Sequence, residues 1–232
     1  MTEMIEHICA VCGSSEYSSV DVLWDELIVD WELSPKETDY INKQQGCCCI
    51  KCGSNLRSIA LASAILTRYK YRGTLEEFVT STEAGSISVL EINEAGALTP
   101  KLEQLPNYVF ASFPTEDMTK LSFENKSYDL VVHSDTLEHV DNPIRALSEC
   151  RRILRDGGAC IFTVPIIKDR MSRSREGLKD SYHGIECSSE FDYRVQTEFG
   201  ADFWAYAIKA GFSNVTLHSF EFPSALAIIT EL

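Results

Sequence analysis

The 232 residues predict an α/β fold, a largely parallel sheet flanked by helices, behind a small cysteine-bearing N-terminal module. Two observations carry that expectation. After Gly73, apolar strand-like runs alternate with helical patterns, and such alternation predicts a parallel sheet covered on both faces. Before it, the segments Cys9–Ser14 and Cys49–Ser54 repeat one pattern, Cys-x-x-Cys-Gly-Ser.

In each repeat the chain must turn sharply for two thiolates to converge on one cation. The glycine after the second cysteine permits the left-handed backbone that such turns need. Two knuckles, Cys9 with Cys12 and Cys49 with Cys52, make a closed tetrahedral thiolate shell suited to Zn²⁺. All four ligands come from protein, so the expected zinc is structural. Thirty-six residues separate Cys12 from Cys49. Cys47 and Cys48 compete with Cys49, whose spacing to Cys52 favours it, and His7 is a weaker substitute. A redox pair is the lesser alternative.

Residues 54–69 predict a helix, with Ile59, Ile65, Leu66 and Tyr69 on one face and Ser54 as its cap. The expected organisation is a zinc-ribbon-like module over 1–56, linking helices over 57–85 and the main domain over 86–232. In that domain 86–92 predict a strand, 98–105 a short helix with Pro100 in its first turn, and 108–113 and 127–134 two further strands. Residues 142–158 predict a helix capped by Asn142 with Pro143 first, stopped by Gly157 and Gly158. A strand over 159–165, a helix over 202–212 and strands over 214–220 and 225–230 complete the pattern. Ligands of such sheets bind beyond the carboxyl ends of the strands.

The composition narrows function. The net charge is −14 and the pI near 4.8. Residues 1–56 carry ten Asp/Glu against three Lys/Arg. That acidity argues against nucleic acid as a partner, which requires a basic surface. No apolar run approaches the ~20 residues of a membrane helix, and the N-terminus lacks a basic, then apolar, secretion signal. A cytoplasmic protein with reduced thiols is the expectation. Against the acidic background, 168–179 carry five Lys/Arg and two Asp/Glu.

The segment 127–165 holds a Tyr128-Asp129 strand, a Leu137-Glu138-His139 turn, an arginine-rich helix ending in Leu154-x-x-Gly157-Gly158, and a strand ending at Pro165. It resembles class I S-adenosylmethionine-dependent methyltransferases of the type 11 group. The resemblance is good over 86–165 and extends less strongly to 232. It implies a Rossmann-like sheet, S-adenosylmethionine as cofactor and a small-molecule acceptor. Glu91 stands where the family's first strand ends in an acid. Asn93, Ala95 and Ala97 stand where glycines are usual, with Gly96 out of register.

Only 35 residues separate Ile92 from Tyr128, so one strand–helix unit is expected to be shortened or lost. Ser112 replaces the acid that would hold the ribose. Asp117 and Met118 match the adenine-contacting stretch. The resemblance therefore implies cofactor contact by Glu91, Asn93, Gly96, Ser112, Asp117, Met118 and His133. His139 reads as a structural hydrogen bond of its turn, and Asp135 and Glu138 as acids at a helix start.

Methyl transfer from a sulfonium needs alignment and desolvation, and a base only where the acceptor must lose a proton. His183 is the expected acceptor-side base, with His133 beside the cofactor. Residues 166–197 should cap the site, with Arg170, Arg173, Arg175 and Tyr182 binding a small anionic or carbohydrate-type acceptor. A non-catalytic binding protein on a degenerate scaffold is the alternative. The acceptor and the oligomeric state are left open.

Overall fold

The computed structural model describes residues 8–182 and 193–232. Within its N-terminal lobe, β1 (Tyr17–Ser19) pairs antiparallel with β2 (Cys47–Cys49). Between them lie α1 (Asp25–Asp30) and α2 (Pro35–Gly46). α2 has a full capping box: Ser34 Oγ accepts from the Glu37 N–H while Glu37 accepts from the Ser34 N–H.

α3 (Leu56–Arg68) begins one residue later than Ser54 would set it. Its cap is Asn55, whose side chain accepts from the Ser58 N–H at 2.9 Å. Its apolar face lies on the main sheet, so it forms a layer of that domain as well as a link to it. α4 (Leu75–Val79) follows, and its first residues bond back to the first cysteine knuckle, Leu75 N–H to Ala10 O at 2.8 Å and Glu76 N–H to Val11 O at 3.1 Å.

The Rossmann-like domain follows in chain order: β3 (Ser88–Ile92), α5 (Thr99–Leu102), β4 (Asn107–Ala111), β5 (Tyr128–Ser134), α6 (Pro143–Ile153) and β6 (Leu154–Thr163). The chain then forms β7 (Ile166–Ile167), β8 (Arg173–Ser174), β9 (Thr197–Gly200), α7 (Ala205–Lys209), β10 (Asn214–Glu221) and β11 (Ala225–Glu231). The main sheet runs β10-β11-β6-β5-β3-β4. β4, β3, β5 and β6 are mutually parallel, and β11 and β10 add antiparallel.

Residues 112–127 form turns and bends alone. The unit expected to be shortened therefore has no crossover helix, and β4 is the edge of the sheet. Arg152 replaces that support by donating to the carbonyls of Leu121 (2.9 Å) and Phe123 (2.8 Å). The α6 helix ends at Ile153 rather than at the glycines, since Leu154 already pairs with Tyr128 and residues 155–158 loop out before Ala159 resumes the ladder opposite Leu130.

Strand alternation sorts the core into two layers. Val89, Leu130, Val132 and Ile161 meet α3, α4 and the cysteine knuckles, whereas Leu90, Val131, Cys160 and Phe162 meet α6 and α7. One apolar cluster thus runs from Cys9 and Cys49 through Leu56 and Ile59 to the sheet. A third cluster joins Leu27, Trp31 and Leu33 to Ile167 and Val195, fastening the N-terminal lobe to the small β7-β9-β8 sheet. No helix of the described residues is long and apolar enough to cross a membrane.

Candidate functional site

The parallel strands end on one edge of the sheet, where backbone groups have no further ladder partners. A cavity of about 750 Å³ opens there, beyond β3, β4 and β5. Its floor includes Ile92, Asn93 and Ser134, one wall Phe110, Ser112, Asp117 and Met118, and the opposite rim Thr136, His139, Asn142 and Arg145. Five carboxyl residues line it, Glu94, Glu116, Asp117, Asp135 and Asp141. The volume is in the range of a small-molecule site.

The loop after β3 explains how the chain turns here with so few glycines. Asn93 and Gly96 both take left-handed backbone, with φ of 55° and 61°. Asparagine tolerates that region where most side chains do not. Asn93 also clamps the neighbouring strand, its N–H donating to Ala111 O at 2.8 Å and its Oδ1 accepting from the Phe113 N–H at 3.1 Å.

Glu91 is fully buried beneath the loop. Its Oε1 accepts from the Ala95 N–H (2.7 Å) and Thr99 Oγ1 (2.5 Å), and its Oε2 from Tyr108 O–H (2.7 Å). Burial pushes its pKa up, and those three donors oppose the rise. Glu91 is thus a brace for the loop and not part of the cavity wall. Gly96 likewise lies behind the wall, with Ser58 and Arg57 of α3 its nearest side-chain neighbours.

Of the residues expected to meet a cofactor, Asn93, Ser112, Asp117 and Met118 line the cavity. Asp117 is exposed and its Oδ1 accepts from the Thr119 N–H and hydroxyl, both at 2.8 Å. His133 requires correction. It points from β5 into the α6 face, fully buried, stacked on Phe162 at 4.6 Å between ring centroids and beside Cys150 and Cys160. Burial depresses its pKa to about 3, with Glu138 opposing. Neither ring nitrogen has a hydrogen-bond partner among the described residues. His133 is a neutral core residue, since Val131 and His133 share a strand face and that face belongs to the interior.

His139 does act as a structural bond, its Nδ1 lying 3.1 Å from the Arg194 carbonyl, and it also borders the cavity. His7 and His183 lie outside the described residues.

The expected acceptor arginines also require correction. None of Arg170, Arg173 and Arg175 lines the cavity. Arg170 donates to Glu37 (3.0 and 3.1 Å) and to the Trp31 carbonyl (2.8 Å). Arg173 donates to Glu198 at 2.6 Å, and Arg175 pairs with the same carboxylate and donates to Lys179 O at 2.7 Å. The basic run is spent on carboxylates, so it ties the cap to α1, α2 and β9. Tyr182 forms an isolated antiparallel bridge with Arg194.

Sequence reasoning passed over Phe110, Phe113, Ser134 and Arg145, and read Asp135 only as an acid at a helix start. Asp135 is the most informative of them. It has a left-handed φ of 45°, rare for a residue with a side chain. It pairs with Arg57 and accepts from Gln45 Nε2 at 3.2 Å, drawing α2 and α3 toward the end of β5. Its place directly after β5 was the available signal.

At the far end of the N-terminal lobe, the thiols of Cys9, Cys12, Cys49 and Cys52 lie within 4.8 Å of one another. Cys9 Sγ is 3.7 Å from Cys52 Sγ, and Cys12 Sγ is 3.6 Å from Cys49 Sγ. A tetrahedral Zn²⁺ with Zn–S of about 2.3 Å needs S–S separations of about 3.8 Å, so the cluster fits that ion. Each knuckle closes the same way, Gly13 N–H on Cys9 O at 2.8 Å and Gly53 N–H on Cys49 O at 2.9 Å, with φ of 77° and 73° at the two glycines. Cys47 and Cys48 fall outside the cluster: Cys48 is on the opposite face of β2 from Cys49, and Cys47, on the same face, lies two residues further along the strand.

Residues 79–162 match the family described as "Methyltransferase domain". The match spans 84 of the 232 residues, and this segment is similar to a methyltransferase domain. Along 50 residues the chain is 40% identical to the sarcosine/dimethylglycine N-methyltransferase of Aphanothece halophytica, a match covering 22% of this chain and 18% of that protein. Similar solved structures include the citrinin polyketide synthase CMeT domain (TM-score 0.48, 14% identity, 90% of this chain and 59% of that one). An S-adenosylmethionine-dependent methyltransferase from Mesorhizobium loti is another (TM-score 0.41, 12% identity, 65% and 92%). The cavity described above lies at the carboxyl edge of the matched segment's first three strands.

Proposed function

We propose that the protein transfers a methyl group from S-adenosylmethionine to a small-molecule acceptor. The observation that carries this reading is the cavity at the carboxyl ends of β3, β4 and β5, inside the segment matched as a methyltransferase domain. With Asp135 paired to Arg57 and Arg145 also in the lining, Glu94, Glu116, Asp117 and Asp141 still leave the cavity net negative, which suits a cofactor whose sulfonium and ammonium outweigh its one carboxylate. Asn93, Ser112, Asp117 and Met118 would hold that cofactor, with Phe110 and Phe113 offering apolar cover, and Glu91 would keep the loop shaped. When bound, the cofactor supplies an electrophilic methyl group. The protein's share is to align it, exclude water and offer hydrogen-bond acceptors at the cavity's inner end.

The pairing of Arg170, Arg173 and Arg175 with acids removes the support for an anionic acceptor. The four-thiolate cluster supports a single structural zinc. Calorimetry with S-adenosylmethionine and S-adenosylhomocysteine tests the cofactor reading. Binding is expected, and Asp117→Ala, which removes an acceptor from the open wall of the cavity, should weaken S-adenosylhomocysteine by about 0.5–1.5 kcal/mol. Absence of binding to either form at millimolar concentration would leave a non-catalytic scaffold.

A further inference from the structure

A second cavity, of about 350 Å³, lies beside the first and shares Asp135 with it. It is built where α1 and α2 of the N-terminal lobe meet Ile166 and Ile167 just past Pro165. Its walls are apolar, with the indoles of Trp24 and Trp31 and the side chains of Leu27 and Ile167 facing inward. Trp31 is fixed in place, because its Nε1–H donates to Ser181 Oγ at 2.7 Å, which in turn donates to Asp30 at 2.6 Å.

The polar end of this cavity is formed by Gln45, Arg57 and Asp135. Arg57 and Asp135 neutralise one another. Gln45, bonded to Asp135 (3.2 Å) and to the Asn55 amide (3.2 Å), is uncharged. A ligand entering here therefore meets flat aromatic and branched aliphatic surface, then hydrogen-bonding groups of no net charge. An ionised ligand would be desolvated without a countercharge, which is costly. A planar apolar body gains burial and ring contact.

We propose that this cavity is the acceptor site, and that its ligand is an uncharged aromatic molecule of two or three rings carrying a hydroxyl or amine directed at Asp135. The proposal rests on the methyl-transfer reading for the word acceptor, but not for the ligand class. It also gives the N-terminal lobe a task. The cysteine cluster orders the lobe whose helices wall the acceptor site, so the lobe selects the substrate while the sheet holds the cofactor.

The test uses the full chain and two probes of one shape, 2-naphthol and 2-naphthoate, measured by calorimetry and tryptophan quenching with and without S-adenosylhomocysteine. The expected result is 2-naphthol binding at least tenfold tighter than 2-naphthoate. Ile41→Trp, which fills the cavity, should weaken 2-naphthol at least tenfold and leave S-adenosylhomocysteine within twofold. Leu23→Trp serves the same purpose should the first variant fail to fold by circular dichroism. Equal or tighter binding of 2-naphthoate, no binding of 2-naphthol, or unchanged 2-naphthol binding in a folded filled variant each overturns the proposal. Failure of S-adenosylhomocysteine to bind while 2-naphthol behaves as expected would remove the transfer reaction and leave the ligand site standing.

Discussion

The Rossmann-like domain and the N-terminal lobe are built on different physics. In the domain, β5, α6 and β6 follow one another, and each is set by its own residues: an apolar run, an Asn142 cap with Pro143, and another apolar run. In the lobe, α1 has six residues and no side-chain cap, α2 is capped locally by Ser34 and Glu37 but weakly amphipathic, and both are held by distant partners. Glu37 of α2 is held by Arg170, Asp30 of α1 by Ser181, and the hairpin strands by four thiols. The difference teaches that the carboxyl edge of the sheet is a product of local chain pattern, whereas the face toward the second cavity depends on long-range charge pairs and a cluster of four thiols.

Removing the metal should break this comparison most strongly. Structural zinc contributes about 10–16 kcal/mol of apparent binding energy in small zinc-finger peptides. Purified protein should carry a single zinc by elemental analysis. Chelation, or Cys49→Ser, should unfold the lobe and expose residues 8–56 to protease while the sheet domain keeps its far-ultraviolet signal. A metal-free lobe that resists protease equally well would show that apolar contacts with α3 suffice.

Next in size is Glu198→Ala. Glu198 and Arg175 are both buried, and removal of Glu198 leaves Arg175 with only the more distant Asp30, at 3.8 Å, as a countercharge. The expected cost is about 3–5 kcal/mol, read as a lower urea midpoint, with tryptophan fluorescence changing as the cap leaves Trp31. Glu91→Gln should cost about 1.5–3 kcal/mol, the range for a hydrogen-bonded charged group, and should also loosen the loop and weaken S-adenosylhomocysteine. Loss of stability with unaltered cofactor affinity would separate the brace from the cavity it supports.

His133→Phe has the smallest expected effect on function. The ring lies off the cavity, so S-adenosylhomocysteine affinity should stay within twofold. Its pH effect is distinct. The unfolded chain takes up a proton as pH falls below about 6.5, while the buried ring stays neutral until about pH 3. Stability is therefore lost progressively as pH falls through that window, by about 2 kcal/mol at pH 5. His133→Phe should remove this part of the acid sensitivity, as measured by urea unfolding at pH 7 and pH 5.

Much of the cofactor edge was legible in advance because its signals are local. The strand ending near Glu91 follows from its apolar run, whereas Asn93, Ser112, Asp117 and Met118 were reached through the resemblance to type 11 methyltransferases, and all four line one cavity. The missing crossover helix followed from 35 residues being too few. In the lobe, the Ser34-Pro35-Lys36-Glu37 box of α2 was present in the sequence but heads a weakly amphipathic helix, and after α3 the Thr74–Glu77 box of α4 heads only five residues, of which Leu75, Phe78 and Val79 are buried.

The sequence by itself determined the alternating domain, the two knuckles and the caps of α6, since each depends on residues within a few positions of one another. Tertiary structure alone decided three things. It buried both faces of β5, placing His133 in the layer against α6 and Ser134 at the strand end on the cavity. It gave Arg170, Arg173 and Arg175 their carboxylate partners, up to 133 residues away in the chain. It placed Asp135 between two cavities by pairing it with Arg57, 78 residues earlier. The physical reason is the same in each case: a side chain's charge and size are written in the sequence, but its partner is fixed only when layers distant along the chain are packed together.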